Sequence, residues 1–273
     1  MTDNRTIAFI GGGNMATSLI GGLVAAGWDP ADIAVAEPDA ERRRELVDRF
    51  GVQAEAEAYR VVGGKDIVVL AVKPQILEGV ATELGPFLAD AETQPLVISV
   101  AAGIPLAKLR YWLDADLPLV RVMPNTPALV GAGVSALYAG PEVGSDGHAS
   151  AEAVMAAAGT TVWGPKEEHM DVVTAVSGSG PAYFFLILEA IEEAAVAEGL
   201  DRHTARTLAI QTAKGAAVLA ESGDEAPAAL RARVTSPGGT TAQGVAALER
   251  GGVRTALADA VSAAARRSRE LGG

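Results

Sequence analysis

The stretch Thr6-Ile7-Ala8-Phe9-Ile10-Gly11-Gly12-Gly13-Asn14-Met15-Ala16 decides how the rest of the chain reads. A short apolar strand runs into three glycines, and residues Met15 to Ala26 carry the pattern of a helix. Strand, G-x-G-x-x-A and helix, in that order, form a dinucleotide-binding turn. Gly11 makes the tight turn, Gly13 lets a pyrophosphate approach the backbone, and Ala16 keeps helix and strand close. The helix N-terminus adds unpaired N–H groups and the positive end of its dipole. A glycine turn with packing value only is the plainer alternative, and the position of the motif at the head of an alternating chain weighs against it.

Outward from this turn, β-branched runs at Thr6 to Ile10, Asp32 to Ala36, Asp66 to Val72, Pro95 to Val100 and Leu117 to Met123 alternate with amphipathic segments. Ile67-Val68-Val69-Leu70 is apolar on both faces, as parallel strands covered above and below by helices must be. Gly133 to Tyr138 and Thr160 to Trp163, around a helix from near Ser150 through Met155, extend the sheet edge. After Gly164-Pro165 the strand signals stop, and helices are expected at 167–176, 181–198, 202–221, 226–233, 241–250 and 253–270. The expected fold is α/β: a doubly wound Rossmann-type parallel sheet in domain 1–164, which binds NAD(P), and an all-α domain in 165–273. Phe184 to Ile191 is apolar around nearly the whole helix circumference, so more than one surface must cover it; burial between two subunits does so.

Composition narrows the functions. At 273 residues the chain is long enough for two domains, and 49% hydrophobic with 21% charged residues excludes disorder. Lys and Arg number 22 against 34 Asp and Glu, a net charge of -12, which argues against nucleic acid as a partner. The absence of cysteine removes disulfides, thiolate nucleophiles, zinc ribbons and iron–sulfur clusters. His148, His169 and His203 lie outside every motif and lack metal-pair spacing, so no metal site is expected. The polar start of the chain carries no secretory pattern, and the apolar run Pro181 to Leu188 meets Glu189, Glu192 and Glu193 short of the ~18 residues a span requires. A cytoplasmic protein without membrane contact is expected.

Glu37 closes the second strand 21 residues after Ala16, close to the spacing at which an acid bonds the adenosine ribose of NAD. Arg42, Arg43 and Arg44 follow and could reach the 2′-phosphate of NADP, so the charge pattern leaves the choice open. Ala71-Val72-Lys73-Pro74, Ala101-Ala102-Gly103 and Met123-Pro124-Asn125-Thr126-Pro127 each end a strand where an open α/β sheet forms its ligand crevice. The cofactor contacts expected are therefore Gly11, Gly12, Gly13, Asn14, Met15, Glu37, Val72, Lys73, Pro74, Ala102 and Asn125.

These motifs, with Val176-Ser177-Gly178-Ser179-Gly180-Pro181-Ala182-Tyr183 and Val234-Thr235-Ser236-Pro237-Gly238-Gly239-Thr240-Thr241, resemble the pyrroline-5-carboxylate reductase family, in order and across essentially the whole chain. The resemblance implies hydride transfer from NAD(P)H to the C=N bond of 1-pyrroline-5-carboxylate, giving L-proline, with a lean toward NADP(H). It also implies an interlocked homodimer, with rings of dimers known in the family. It places the substrate at Ser236, Gly238, Gly239, Thr240 and Thr241, with Thr241 near the ring nitrogen as the catalytic residue, and Asp224 close by. From the residues themselves, Pro237-Gly238 signals a turn, and Thr240 or Thr241 is suited to cap the helix that follows, whose N–H groups suit a carboxylate. One departure is Ala58, where many relatives carry an asparagine that touches the cofactor.

Three other readings compete. A β-hydroxyacid dehydrogenase shares the layout but needs a lysine about four residues beyond a Gly-x-Gly in its second domain, where this chain has Phe184 after Gly178-Ser179-Gly180. A reductase of another cyclic imine shares the mechanism. A non-catalytic NAD(P) sensor has no use for an intact Ser236 to Thr241 loop.

Overall fold

A computed structural model describes residues 5–164 and 166–272. Pro165, at the expected domain boundary, and the terminal residues 1–4 and 273 lie outside the described residues.

The first compact unit runs to Ser179 and takes in the chain again from Ala263. Its elements are β1 (Ile7–Ile10), α1 (Asn14–Ala25), β2 (Ile33–Ala36), α2 (Ala40–Phe50), β3 (Gln53–Glu55), α3 (Tyr59–Val62), β4 (Ile67–Leu70) and α4 (Pro74–Ala89). There follow β5 (Leu96–Ser99), α5 (Leu106–Leu113), β6 (Leu119–Met123), β7 (Gly133–Ala139), α6 (Ser145–Ala156), β8 (Gly159–Trp163) and α7 (Met170–Val173). One sheet holds all eight strands in the order β3-β2-β1-β4-β5-β6-β7-β8. Every pair is parallel except β6 with β7. Strand order reverses direction between β1 and β4, the switch point at which such sheets bind ligands.

Alternation along each strand splits the core between two faces. Ile7 and Phe9 pack with Leu19, Leu23 and Val69 on one side; Ala8 and Ile10 pack with Val68, Leu77 and Leu84 on the other. That two-sided burial is why the strands read as unbroken apolar runs.

Three features differ from the sequence expectation. β3 carries no apolar signal, because Gln53 and Glu55 are exposed at the sheet edge, where backbone pairing to β2 suffices to order them. β6 and β7 run antiparallel, since the short 3₁₀ turn Thr126–Val130 joining them cannot make a parallel crossover. The helix expected at 167–176 is a 3₁₀ turn, then α7, then a π turn at Thr174–Gly178.

The compact units divide after Ser179, whereas the strand signals stop near 164. The intervening segment belongs to the first unit by its contacts: Glu167 Oε1 accepts from the Leu106 N–H at 2.7 Å and from buried Arg121 at 3.1 Å. Ser268 donates to Asp171 Oδ1 at 2.7 Å, which brings the end of the chain back to that same unit.

The second unit, residues 180–262, contains α8 (Gly180–Ala197), α9 (Arg202–Glu221), α10 (Pro227–Arg233), α11 (Thr240–Arg250) and the first half of α12 (Val253–Gly272). Phe184, Phe185 and Leu186 on α8 are each about two-thirds exposed, as are many apolar residues of α9 to a lesser degree. The helical stretch Glu167–Ala197 contains an 18-residue window of mean hydropathy 1.4, long and apolar enough by length and composition alone to cross a membrane.

Candidate active site

The glycine turn has the shape its sequence requires. Gly11 sits at φ +100°, and a Cβ there would lie 2.9 Å from the Ala71 carbonyl oxygen, so glycine is needed for both conformation and space. Gly13 is the N-cap of α1 without a side-chain cap, and a Cβ on it would meet nothing closer than Arg42 Nη1 at 3.9 Å. Thr17 is bonded back to the Gly13 carbonyl at 2.9 Å, so the N–H groups of Asn14, Met15 and Ala16 form the open first turn. A cavity of about 760 Å³ lies against this turn, at the carboxyl ends of β1, β2 and β4. Gly11, Gly13, Glu37, Val72 and Lys73 line it. An open glycine backbone at a helix N-terminus, beside a cleft of that volume, fits a dinucleotide.

Of the remaining expected contacts, Gly12 donates its N–H to Glu37, while Asn14 and Met15 begin α1. Lys73 is the N-cap of α4 and Pro74 its first residue, where a missing N–H costs nothing. Glu37 Oε2 accepts the Gly12 N–H at 2.9 Å and Oε1 accepts the Asp39 N–H at 3.0 Å. Asp39 caps α2, and the N–H groups of Arg42 and Glu41 hold its carboxyl below the usual range. Ala56 and Ala58 are on the cavity wall, so the departure at Ala58 does fall beside the candidate cofactor space. Ile76, Val80 and Glu83 also line it and were missed; their i, i+4, i+7 spacing on α4 was the available signal.

Two expected contacts lie elsewhere. Ala102 lines a separate cavity of about 210 Å³ with Thr174, Ser179 and Ser268. Asn125 is buried and spends both ends of its amide inside the protein: Nδ2 donates to the Ser177 carbonyl at 3.2 Å, and Oδ1 accepts the Val134 N–H at 2.9 Å. Its side chain thereby ties the loop after β6 to the π turn.

In the second unit, Ser236 to Gly239 form a turn closed by the Gly239 N–H to the Ser236 carbonyl at 3.1 Å, with Gly238 at φ +73°. Proline second and a positive-φ glycine third is the signature of a type II turn. Gly239 is the N-cap of α11 and makes no side-chain cap bond; Thr240 and Thr241 are the first two helical residues. The expected threonine cap is therefore corrected. A residue inside the first turn cannot also be its cap, and the helix N-terminus lacks a side-chain acceptor of its own. Ser236, Gly238, Thr240 and Thr241 are exposed in the single chain, as is Asp224 in the loop between α9 and α10. Among the described residues no cluster of acidic, histidine or cysteine side chains is arranged to hold a metal.

Comparison with known proteins agrees with this geometry. Residues 167–271 match the family profile for pyrroline-5-carboxylate reductase dimerisation, and residues 6–103 match that for NADP oxidoreductase, coenzyme F420-dependent. A pyrroline-5-carboxylate reductase of Pseudomonas aeruginosa is 45% identical, over 97% of this chain and 96% of the relative. The solved pyrroline-5-carboxylate reductase of Coxiella burnetii superposes with a TM-score of 0.94 at 40% identity, covering 99% of this chain and 100% of that one. The Plasmodium falciparum pyrroline carboxylate reductase, solved with NADP bound, superposes with a TM-score of 0.88 at 30% identity and full coverage of both chains. From its glycine turn to its last helix, this chain belongs to the pyrroline-5-carboxylate reductase family.

Proposed function

We propose that the protein reduces 1-pyrroline-5-carboxylate to L-proline with NAD(P)H, the last step of proline biosynthesis, in the cytoplasm. Kinship over 97% of the chain is the observation that carries this reading. A bound reduced nicotinamide dinucleotide supplies the hydride accepted by the C=N carbon. The protein's task is then to hold and orient, because a protonated imine is already electrophilic. Gly11, Gly13 and the first turn of α1 would hold the pyrophosphate with backbone N–H groups. Glu37 would hold the adenosine ribose, and Val72 and Lys73, with Pro74 opening the next helix, would border the bound dinucleotide.

At the substrate, the N–H groups that open α11 bind the carboxylate, and the glycines of the turn let it approach the backbone. The Thr241 hydroxyl bonds the ring nitrogen and fixes the ring face presented to the hydride, with Ser236 and Asp224 completing the surroundings.

The chain works as a homo-oligomer, and we assign α8 and α9 to an interlocked homodimer interface. Their exposed Phe184, Phe185, Leu186 and Leu208 support this assignment, since such surface is costly to leave in water. Rings of such dimers are the further assembly implied by family. The test is the initial rate of NADH and NADPH oxidation with 1-pyrroline-5-carboxylate as acceptor, with the product identified. Conversion to proline is expected. Tight dinucleotide binding without turnover would point to another imine or to a sensor.

A further inference from the structure

We propose that this chain selects NADH over NADPH, with Glu37 as the residue that excludes a 2′-phosphate; the proposal rests on reading the glycine turn as the dinucleotide site. The sequence pattern alone was contradictory, pairing an acid suited to a ribose with three arginines suited to a phosphate. The structure resolves the contradiction by giving each of these side chains a place.

Glu37 is fixed. Its N–H donates to the Glu55 carbonyl at 2.9 Å, its own carbonyl accepts Arg43 Nη1 at 2.7 Å, and its two carboxylate oxygens accept the Gly12 and Asp39 N–H groups at 2.9 and 3.0 Å. Each of those oxygens keeps a lone pair for a second donor. The 2′- and 3′-hydroxyls of an unmodified ribose bring such donors. A 2′-phosphate brings negative charge instead, against a carboxylate held in place by two backbone N–H groups, one on each oxygen, and unable to swing away without breaking them.

The arginines do not offset this. Arg43 donates from the same Nη1 to the Pro38 carbonyl at 2.8 Å as well, and it is not part of the cavity wall. Arg44 is exposed and is not part of the cavity wall. Arg42 does line the cavity, but its Nη1 lies 3.9 Å from the Cβ position of Gly13, on the pyrophosphate side of the turn. The wall as a whole carries Glu37, Asp39, Glu57 and Glu83 against Arg42 and Lys73, an acidic surround for an extra phosphate. This preference departs from the NADP(H) lean that the family resemblance implies.

Calorimetric titration of the full-length protein with ADP-ribose and with 2′-phospho-ADP-ribose reads the discrimination without turnover. Wild type is expected to bind ADP-ribose at least about tenfold more tightly. Glu37→Gln and Glu37→Ser, each checked for an intact melting transition, should bring the two ligands to within about threefold of each other. Arg42→Ala should weaken both ligands to the same degree, as a pyrophosphate contact does. Equal or tighter binding of the 2′-phosphorylated ligand by wild type, or an Arg42→Ala loss confined to that ligand, overturns the proposal while leaving the dinucleotide site standing. Binding of neither ligand overturns the site reading itself, and the proposal with it.

Discussion

Thr241 lies inside the first turn of its helix and does not cap it, so its hydroxyl is available for the substrate contact proposed above. Thr241→Ala is expected to lower kcat/KM with 1-pyrroline-5-carboxylate by roughly 10- to 100-fold, the scale of one positioned hydrogen bond at the reacting centre. Unchanged steady-state kinetics would remove Thr241 from the mechanism. Glu167 illustrates a residue whose importance is structural. Its Oε1 satisfies the guanidinium of Arg121, 5% exposed within β6, as well as the Leu106 N–H. Removing it strands a buried charge, so Glu167→Ala should cost about 3 kcal/mol in urea denaturation. A loss no larger than that of a surface substitution would show that water replaces the carboxylate. The role proposed for Thr241 rests on its motif. Glu167 was not legible in the sequence, because its partners lie 61 and 46 residues away and nothing in the local pattern marks them.

At the level of elements, α8 and α9 are joined by a charge cluster. Glu192 is buried against α9, accepting from Arg202 Nη1 at 2.8 Å and Arg206 Nε at 2.8 Å. The hydrogen bond from Arg206, then that from Arg202, holds the Glu192 carboxyl below its ordinary value of 4.5. A depressed folded-state value means that the cluster stabilises above the ordinary glutamate range and that this contribution fades as pH falls through and below 4.5. Glu192→Gln should therefore melt a few degrees lower than wild type at neutral pH, with the gap closing in acid. A gap constant with pH would mean that packing, not ionisation, sets the difference. Helix positions in this half of the chain were readable from apolar periodicity, and the structure adds caps such as Asp201, which accepts the Thr204 N–H at 3.0 Å. The edge strand β3 and the π turn at Thr174–Gly178 were hidden, since neither has an apolar signature and both depend on what the neighbouring backbone offers.

On the scale of the whole molecule, the exposed apolar residues of α8 contribute to the hydropathy that would also suit a membrane helix. Phe185→Asp is expected to convert the oligomer to smaller species in sedimentation velocity while leaving the protomer folded, because the side chain is 65% exposed in a single chain. An unchanged mass would place the interface elsewhere. Local pattern was enough to establish the glycine turn, the run of parallel strands, the change to helices and the Ser236 to Thr241 loop, since each is encoded by neighbours along the chain. Long-range contacts decided the rest: the division after Ser179, the inward turn of the Asn125 amide, and the different hydrogen-bond partners of Glu37 and Arg43. Identical side chains a residue apart look alike in sequence. Their roles differ because a side chain's direction is set by the backbone it grows from and by the partners that the folded sheet brings within reach.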